Sequence, residues 1–209
     1  MKDFQLYVIT GEAFHEGKEL LQVMEEAIKG GADFIQLRDK TSSRKEVFEK
    51  AKRLNDLCKT YNVPFIVNDY IDIAMAVDAD GVHVGQDDMP LAEVRKLVGK
   101  DKIIGVSTHK LDEALEAEKG GADYIGVGPI FPTNSKEDVV DPVTTSYIKE
   151  IKAHVSIPFV AIGGIKTHNV REVIEAGADA VCVITEVVAA EDVQAAAETM
   201  TKAINEAKA

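Results

Sequence analysis

Eight short apolar runs rich in β-branched residues punctuate the chain: "QLYVIT", "FIQLRDK", "PFIVND", "GVHVG", "KIIGVST", "YIGVGPI", "PFVAIGG" and "AVCVIT". Bounded by turn-forming residues, they read as short buried strands. The stretches between them carry apolar residues at helical spacing, as in "GKELLQVMEEAIK", "EVFEKAKRLNDLCK" and "LDEALEAEKG". Strand and helix signals in alternation predict a parallel sheet covered by helices. Eight units in 209 residues average about 26 residues each, little more than a strand, a helix and two turns require. Eight is also the number that closes a barrel. The expectation is an α/β fold, a (β/α)8 TIM barrel, with residues 1–209 as a single domain.

An internal echo supports the count. "GGADFIQL", "DADGVHV", "GGADYIGV" and "AGADAVCV" lead into the second, fourth, sixth and eighth runs, while the third and seventh open alike with "VPFIV" and "IPFVA". The repeating unit is two strands and two helices, taken four times. The glycine of each echo is expected to end a helix in left-handed backbone. That puts the echoes at the bottom of the barrel, where they serve stability rather than chemistry. No linker-like segment interrupts the pattern.

Composition narrows the class. The chain is 45% hydrophobic, enough for one well-buried core, and its net charge is -12, from 24 Lys+Arg against 36 Asp+Glu. That balance disfavours nonspecific binding to nucleic acid or an anionic membrane. No basic run, aromatic RNA-binding pattern or low-complexity tract offsets it. The opening "MKDFQLYVIT" turns polar too early for a signal peptide, and no apolar run approaches the ~18 residues of a membrane span. Cys58 and Cys182 lie in helix-like and apolar surroundings and are expected as buried free thiols. A soluble cytoplasmic protein is expected, with its oligomeric state left open.

In such a barrel the site is assembled from the carboxyl ends of the strands. In order, those ends supply Gln36, Arg38 and Lys40, then Asn68 and Asp69, then Gln86, Asp87 and Asp88, then Ser107, Thr108 and His109. The sixth run leads into "FPTNSK", with Thr133, Asn134, Ser135 and Lys136; the seventh ends in Gly163 and Gly164, and the eighth in Thr185. The i, i+2, i+4 spacing of Gln36, Arg38 and Lys40 places them on one face. Arg38 can grip phosphate oxygens bidentately, while Lys40 and Lys136 act as mobile point charges. Cations and carboxylates on one rim suggest a polyphosphate with Mg²⁺, which takes one or two carboxylates and borrows phosphate oxygens for the rest. Asp69 and Asp88 fit that need. The plainer alternative pairs Arg38 with Asp39 or Asp69 as a rim ion pair, and Asp87 is expected to point outward.

The glycines of "AIGGI" let a backbone approach a ligand and offer bare N–H groups to a phosphate. The loops after the seventh and eighth strands are the frequent phosphate site of this fold, so a second phosphate site is expected there. The alternative is a tight turn that needs glycine for steric reasons alone. His15, His83, His109, His154 and His168 show no paired ligand spacing, which argues against zinc. His109 stands at a strand end, either against substrate or in a structural hydrogen bond. No Walker-type or dinucleotide glycine motif and no Cys/His or Ser/His nucleophilic set stands out.

The motifs "QLRDK", "NDYIDIAMAVDADGVHVGQDDMP", "GVSTH", "GADYIGVGPIFPTNSK" and "VAIGGI" closely resemble those of the thiamine phosphate synthase (thiamine-phosphate pyrophosphorylase) family, in family order from about Tyr7 to Val188. The resemblance implies a TIM barrel that joins a hydroxymethylpyrimidine diphosphate to a hydroxyethylthiazole phosphate, with Mg²⁺ required. Thiamine phosphate and pyrophosphate would be the products. Carried over by position, it implies Gln36 and Ser107 at the pyrimidine, and Arg38, Lys40, Asn68 and Lys136 on the diphosphate. It further implies Asp69 and Asp88 on the metal, and Thr133, Ser135, Gly164 and Thr185 around the thiazole and its phosphate. Arg38, Lys40, Ser107 and Lys136 form the expected catalytic set.

The implied route is dissociative: diphosphate leaves the pyrimidine methylene first, and the thiazole nitrogen captures the cation. Such a step needs charge stabilisation rather than a protein nucleophile. At ~4 Å and an effective dielectric of about 20, each cation–phosphate contact is worth roughly 4 kcal/mol, enough to outweigh the screened field of a negative protein. On this reading "FPTNSK" forms a flap over both substrates.

The sequence departs from the family's pattern at three points. Ser135 stands where the family more often has threonine, and Thr185–Glu186 replaces the usual "SA". Glu186 would repel a phosphate if it pointed inward. The segment "VVDPVTTSY" lacks the glycine expected after the flap. Two rival readings remain on the same fold: a thiazole tautomerase, whose members carry a histidine where this chain has Pro129, and a non-catalytic thiamine-precursor binding protein. The intact "NDYID", "QDD" and "SK" favour the synthase over both.

Overall fold

The computed structural model describes residues 4–15, 17–135 and 141–209. Among them, eight parallel strands close a barrel in chain order, with the eighth paired back to the first. They are β1 (Leu6–Ile9), β2 (Phe34–Leu37), β3 (Phe65–Asn68), β4 (Gly81–Val84), β5 (Ile103–Thr108), β6 (Tyr124–Val127), β7 (Phe159–Ile162) and β8 (Ala180–Val183). Helices α1 (Leu20–Lys29) through α7 (Val170–Glu175) alternate with the strands, and β8 leads into the short α8 (Thr185–Val188) and the long α9 (Val193–Lys208). The intervening helices are α2 (Arg44–Tyr61), α3 (Ile71–Ala76), α4 (Leu91–Val98), α5 (Leu111–Lys119) and α6 (Thr144–His154). The (β/α)8 expectation holds.

Local chemistry explains the helix ends. Ser43 and Glu46 form a reciprocal capping box at the start of α2, which satisfies two amides that helical bonding leaves free. Asn62 ends the same helix at φ +55, a left-handed conformation that asparagine tolerates. Asp192 caps α9 by accepting from the Ala195 amide at 2.9 Å.

Most strands are only four residues long. The polar ends of the sequence runs, such as Arg38–Lys40 and Gly163–Gly164, lie beyond the ladder as loop backbone, and Arg38 and Lys40 line the barrel mouth. The interior is filled by aromatic rings. Phe4 stacks on Phe34 at 4.4 Å, and Tyr7 meets Phe34 edge to face at 4.7 Å. Such offset and T-shaped pairs are the favoured aromatic arrangements.

The echo behaves as a structural device at the opposite end. Its aspartate reaches back to an amide at the start of the preceding odd strand: Asp33 to Leu6 (2.9 Å), Asp80 to Phe65 (2.8 Å), Asp123 to Ile104 (2.8 Å) and Asp179 to Phe159 (3.4 Å). Gly31, Gly121 and Gly177 take φ of +108, +85 and +112 as expected. The echo before β4 corrects the sequence reading. There Asp78 holds the left-handed position at φ +55, while Gly81 is the first residue of β4. Gly81 is needed for a different reason, because a Cβ would sit 2.1 Å from the Ile103 carbonyl oxygen. Cys58 and Cys182 are both buried thiols. Among the described residues, no helix is long and apolar enough to cross a membrane.

Candidate active site

A cavity of about 1290 Å³ opens over the carboxyl ends of the strands. Its first wall comes from the segments after β2, β3 and β4 and carries Arg38, Lys40, Asn68, Asp69, Asp87 and Asp88. Arg38 is pinned through its backbone. The Thr10 hydroxyl accepts from its amide at 2.9 Å and donates to its carbonyl at 3.1 Å. Asp39 turns away from it. Its carboxylate accepts from Lys50 at 2.7 Å and from the Ser42 amide at 2.9 Å. Burial pushes the Asp39 pKa up, but these bonds outweigh it and hold the group well below the usual carboxylate range. Among the described residues no carboxylate pairs with Arg38, so the rim pair that sequence left as an alternative is not formed.

Lys40 makes the pairing instead, 3.3 Å from Asp69 Oδ2. Asp69 holds φ +61, a backbone state uncommon outside glycine and concentrated at functional positions. Its carboxyl lies within hydrogen-bonding reach of Asp88. Burial first, and then the negative charge of Asp88, raise its pKa, with Lys40 offsetting them in part. Asp88 is oriented by the Gly85 amide, which donates to its Oδ2 at 2.7 Å. Two carboxylates held together in a half-buried setting suit a divalent cation. Among the described residues no third His, Cys, Asp or Glu completes a cluster.

The second wall comes from β5 and β6. Ser107 faces the cavity with its hydroxyl 2.8 Å from His83 Nε2, and Gln86 donates to its carbonyl at 2.7 Å. His109 lines the cavity while its Nδ1 sits 2.6 Å from the Gly128 carbonyl, the structural bond that sequence allowed. Gln36 differs from expectation. It lies within β2, below Arg38 and Lys40, is only 2% exposed, and donates its amide to the Tyr7 hydroxyl at 2.7 Å.

The third wall joins the end of β6 to β7 and β8. Thr133, Ser135 and Thr185 bring their hydroxyls together, at 3.1 Å between Thr133 and Ser135 and 3.3 Å between Ser135 and Thr185. Gly163 and Gly164 hold φ of +99 and +62, and a Cβ on either would strike Pro129 at 2.4 Å or the Pro132 carbonyl oxygen at 2.6 Å. The backbone these glycines admit is therefore the protein's own. The amides of Ile130 and Phe131 bond the carbonyls of Ile162 and Gly163 there, at 2.9 and 3.0 Å. Glu186 does reach the rim, but it is neutralised. It accepts from the Thr167 amide and hydroxyl at 2.9 Å each and pairs with Lys166 at 3.1 Å. Lys136 lies outside the described residues, as does the segment 137–140.

Arg38, Lys40, Asn68, Asp69, Asp88, Ser107, Thr133, Ser135, Gly164 and Thr185 thus converge on one cavity. Sequence reasoning missed Thr10, His83 and Lys166. Only the ending of the first run at Thr10, and of the seventh near Lys166, signalled two of them.

A (β/α)8 barrel whose mouth combines clustered cations, paired carboxylates and a hydroxyl group defines an enzyme of phosphorylated small molecules. The model of the thiamine monophosphate synthase family matches residues 6–187, and the chain belongs to that family. Thiamine-phosphate synthase of Shouchella clausii is 74% identical over 99% of both chains. That of Halalkalibacterium halodurans is 65% identical over 95% of this chain and 94% of its own. Among solved structures, thiamine phosphate pyrophosphorylase from Pyrococcus furiosus superposes with a TM-score of 0.90 at 41% identity, covering 99% of this chain and 98% of that one.

Proposed function

We propose that this cavity joins hydroxymethylpyrimidine diphosphate to hydroxyethylthiazole phosphate, forming thiamine phosphate and releasing pyrophosphate. The observation that carries the reading is the group made by Arg38, Lys40, Asp69 and Asp88. An arginine that pairs with no carboxylate among the described residues, and a lysine paired with one of two crowded carboxylates, form a pole that a diphosphate and a divalent cation would complete. The Thr133–Ser135–Thr185 hydroxyls and Gly164 form a second pole for the thiazole phosphate. Arg38, Lys40 and Asn68, together with Lys136, bind the diphosphate, while Ser107 meets the pyrimidine and Gln36 lies beneath it, out of contact. Asp69 and Asp88 would hold Mg²⁺, which would supply positive charge to the diphosphate.

The chain's own residues act by position and charge. Arg38, fixed through Thr10, donates to phosphate oxygens as the carbon–oxygen bond breaks, and Lys40 shifts its share of charge from Asp69 to the leaving group. The thiazole nitrogen supplies the electron pair for the new bond, so no protein nucleophile enters. The whole chain works as one barrel domain in the cytoplasm, without nucleic acid or membrane partners. The test is purified protein with both substrates and Mg²⁺, followed by assay of thiamine phosphate and pyrophosphate. Equimolar formation of both, dependent on both substrates, is expected. Isomerisation of a thiazole carboxylate phosphate without pyrophosphate would overturn the reading.

A further inference from the structure

Beneath the cavity, behind Ser107, runs a chain of buried hydrogen bonds whose inner members the synthase reading leaves unused. Gln36 Nε2 donates to the Tyr7 hydroxyl at 2.7 Å, which lies 3.0 Å from the Tyr124 hydroxyl. Tyr124 in turn lies 2.9 Å from His83 Nδ1, and His83 Nε2 lies 2.8 Å from Ser107 Oγ. The four inner residues are nearly inaccessible, at 2%, 1%, 0% and 8% exposure, while Ser107 faces the cavity. The fold makes room for the chain. A Cβ on Gly105, in the middle of β5, would lie 2.1 Å from the Tyr124 ring and 2.5 Å from His83 Nδ1. Glycine weakens a strand, so its presence there marks the space it keeps open.

Counting donors gives the chain a direction. The amide nitrogen of Gln36 can only donate, so the Tyr7 oxygen accepts. Both phenols are fully buried, which raises their pKa and keeps each one's single proton in place. If Tyr7 donates to Tyr124, Tyr124 is free to donate to His83 Nδ1, and each phenol proton has an acceptor. Neutral His83 then carries its proton on Nε2 and donates to Ser107. The serine proton is left for the cavity. In the reverse direction Ser107 would give its proton to His83, and a ligand would meet only oxygen lone pairs. Buried polar groups overwhelmingly find partners, which selects the forward direction.

We propose that His83, held as the Nε2–H tautomer by the Gln36–Tyr7–Tyr124 chain, is a positioning residue that presents the Ser107 hydroxyl to the substrate as a hydrogen-bond donor. The substrate atom opposite Ser107 is accordingly an acceptor, such as a ring nitrogen or a diphosphate oxygen. The activity arm of the test rests on the synthase reading, but the spectroscopic arm does not.

Long-range ¹H–¹⁵N spectra of the whole protein, with His83 assigned by its loss in His83→Gln, should show Nδ1 unprotonated and Nε2 protonated at neutral pH. In Tyr124→Phe that signature should give way to a tautomer mixture. In Gln36→Glu, whose carboxylate accepts from Tyr7, it should reverse to Nδ1–H. For activity, His83→Leu should lower kcat/KM for the pyrimidine diphosphate about tenfold, with KM for the thiazole phosphate unchanged and partial rescue in His83→Gln. Added to Ser107→Ala, the same substitution should have no further effect, because residues acting through one another are not additive. An Nδ1–H or doubly protonated His83 in the wild-type protein overturns the proposal, as does a full tenfold effect of His83→Leu on the Ser107→Ala background. Absence of pyrophosphate formation by the wild-type protein would fail the synthase reading and leave the tautomer result to decide the chain.

Discussion

Asp69 combines three features that destabilise a folded protein: left-handed backbone at φ +61, partial burial, and a second carboxylate beside it. Lys40 at 3.3 Å offsets them only in part. A raised carboxylate pKa means that the folded chain binds this proton more tightly than the unfolded one. The penalty is therefore present above the folded pKa and is relieved as pH falls through it. Asp69→Asn should raise the Tm of the ligand-free protein at neutral pH by about 2–4 °C, which is what ~1 kcal/mol produces in a domain of this size. The gain should shrink as pH is lowered into the carboxylate range, while turnover drops at least about tenfold for loss of a transition-state contact. Calorimetry across pH together with pyrophosphate assay checks both halves; a less stable, fully active variant would remove Asp69 from the site. Lys136 makes a purely kinetic case. Lys136→Ala should lower kcat by about 10²-fold, the low end for one preorganised stabilising group, whereas a change confined to KM would assign it to binding alone.

The strand-and-turn elements separate stability from chemistry by which end of the barrel they occupy. Asp80 at the bottom accepts the Phe65 amide at 2.8 Å, and Asp80→Ala would leave that buried amide without its partner. The expected loss is about 2 kcal/mol, a Tm drop of roughly 4–8 °C, with kcat unchanged in a steady-state assay. A fall in kcat at unchanged Tm would contradict the division between the two ends. The same division governs what the sequence reveals. Alternating runs and the four echoes are local patterns, so the barrel and its strand order could be read directly. The rim residues Arg38, Lys40, Asp69 and Asp88 were legible because each follows its strand within a few positions. His83 was not. "GVHVG" looks like any apolar strand, and only closure of the barrel brings its histidine against Ser107 and Tyr124, 24 and 41 positions away. The pairing of Glu186 was illegible for a related reason, since its partners Thr167 and Lys166 belong to the neighbouring strand's loop.

At the scale of the whole molecule, a chain of net charge -12 is read as a binder of two anions. Its charge is spread over the surface and screened beyond roughly 8–10 Å at ordinary ionic strength. Arg38, Lys40 and Lys166 instead gather at one mouth, where short range decides. Asp69 and Asp88 complicate that mouth, because without a cation between them they oppose the diphosphate. Metal and diphosphate should therefore bind as a pair, each supplying the charge the other lacks. Ligand that binds only the folded state stabilises it by about 2.7 kcal/mol at a hundredfold excess over Kd, or roughly 5–10 °C in Tm for a domain of this length. Mg²⁺ and pyrophosphate together should reach that range, while either alone should move Tm by no more than about 2 °C, at most about 1 kcal/mol of linkage. In Asp69→Asn the synergy should vanish while the intrinsic Tm gain remains. Thermal unfolding with Mg²⁺, with pyrophosphate in EDTA, and with both supplies the comparison. A full shift from pyrophosphate in EDTA would mean that the cationic rim binds diphosphate by itself and that the paired carboxylates serve another purpose.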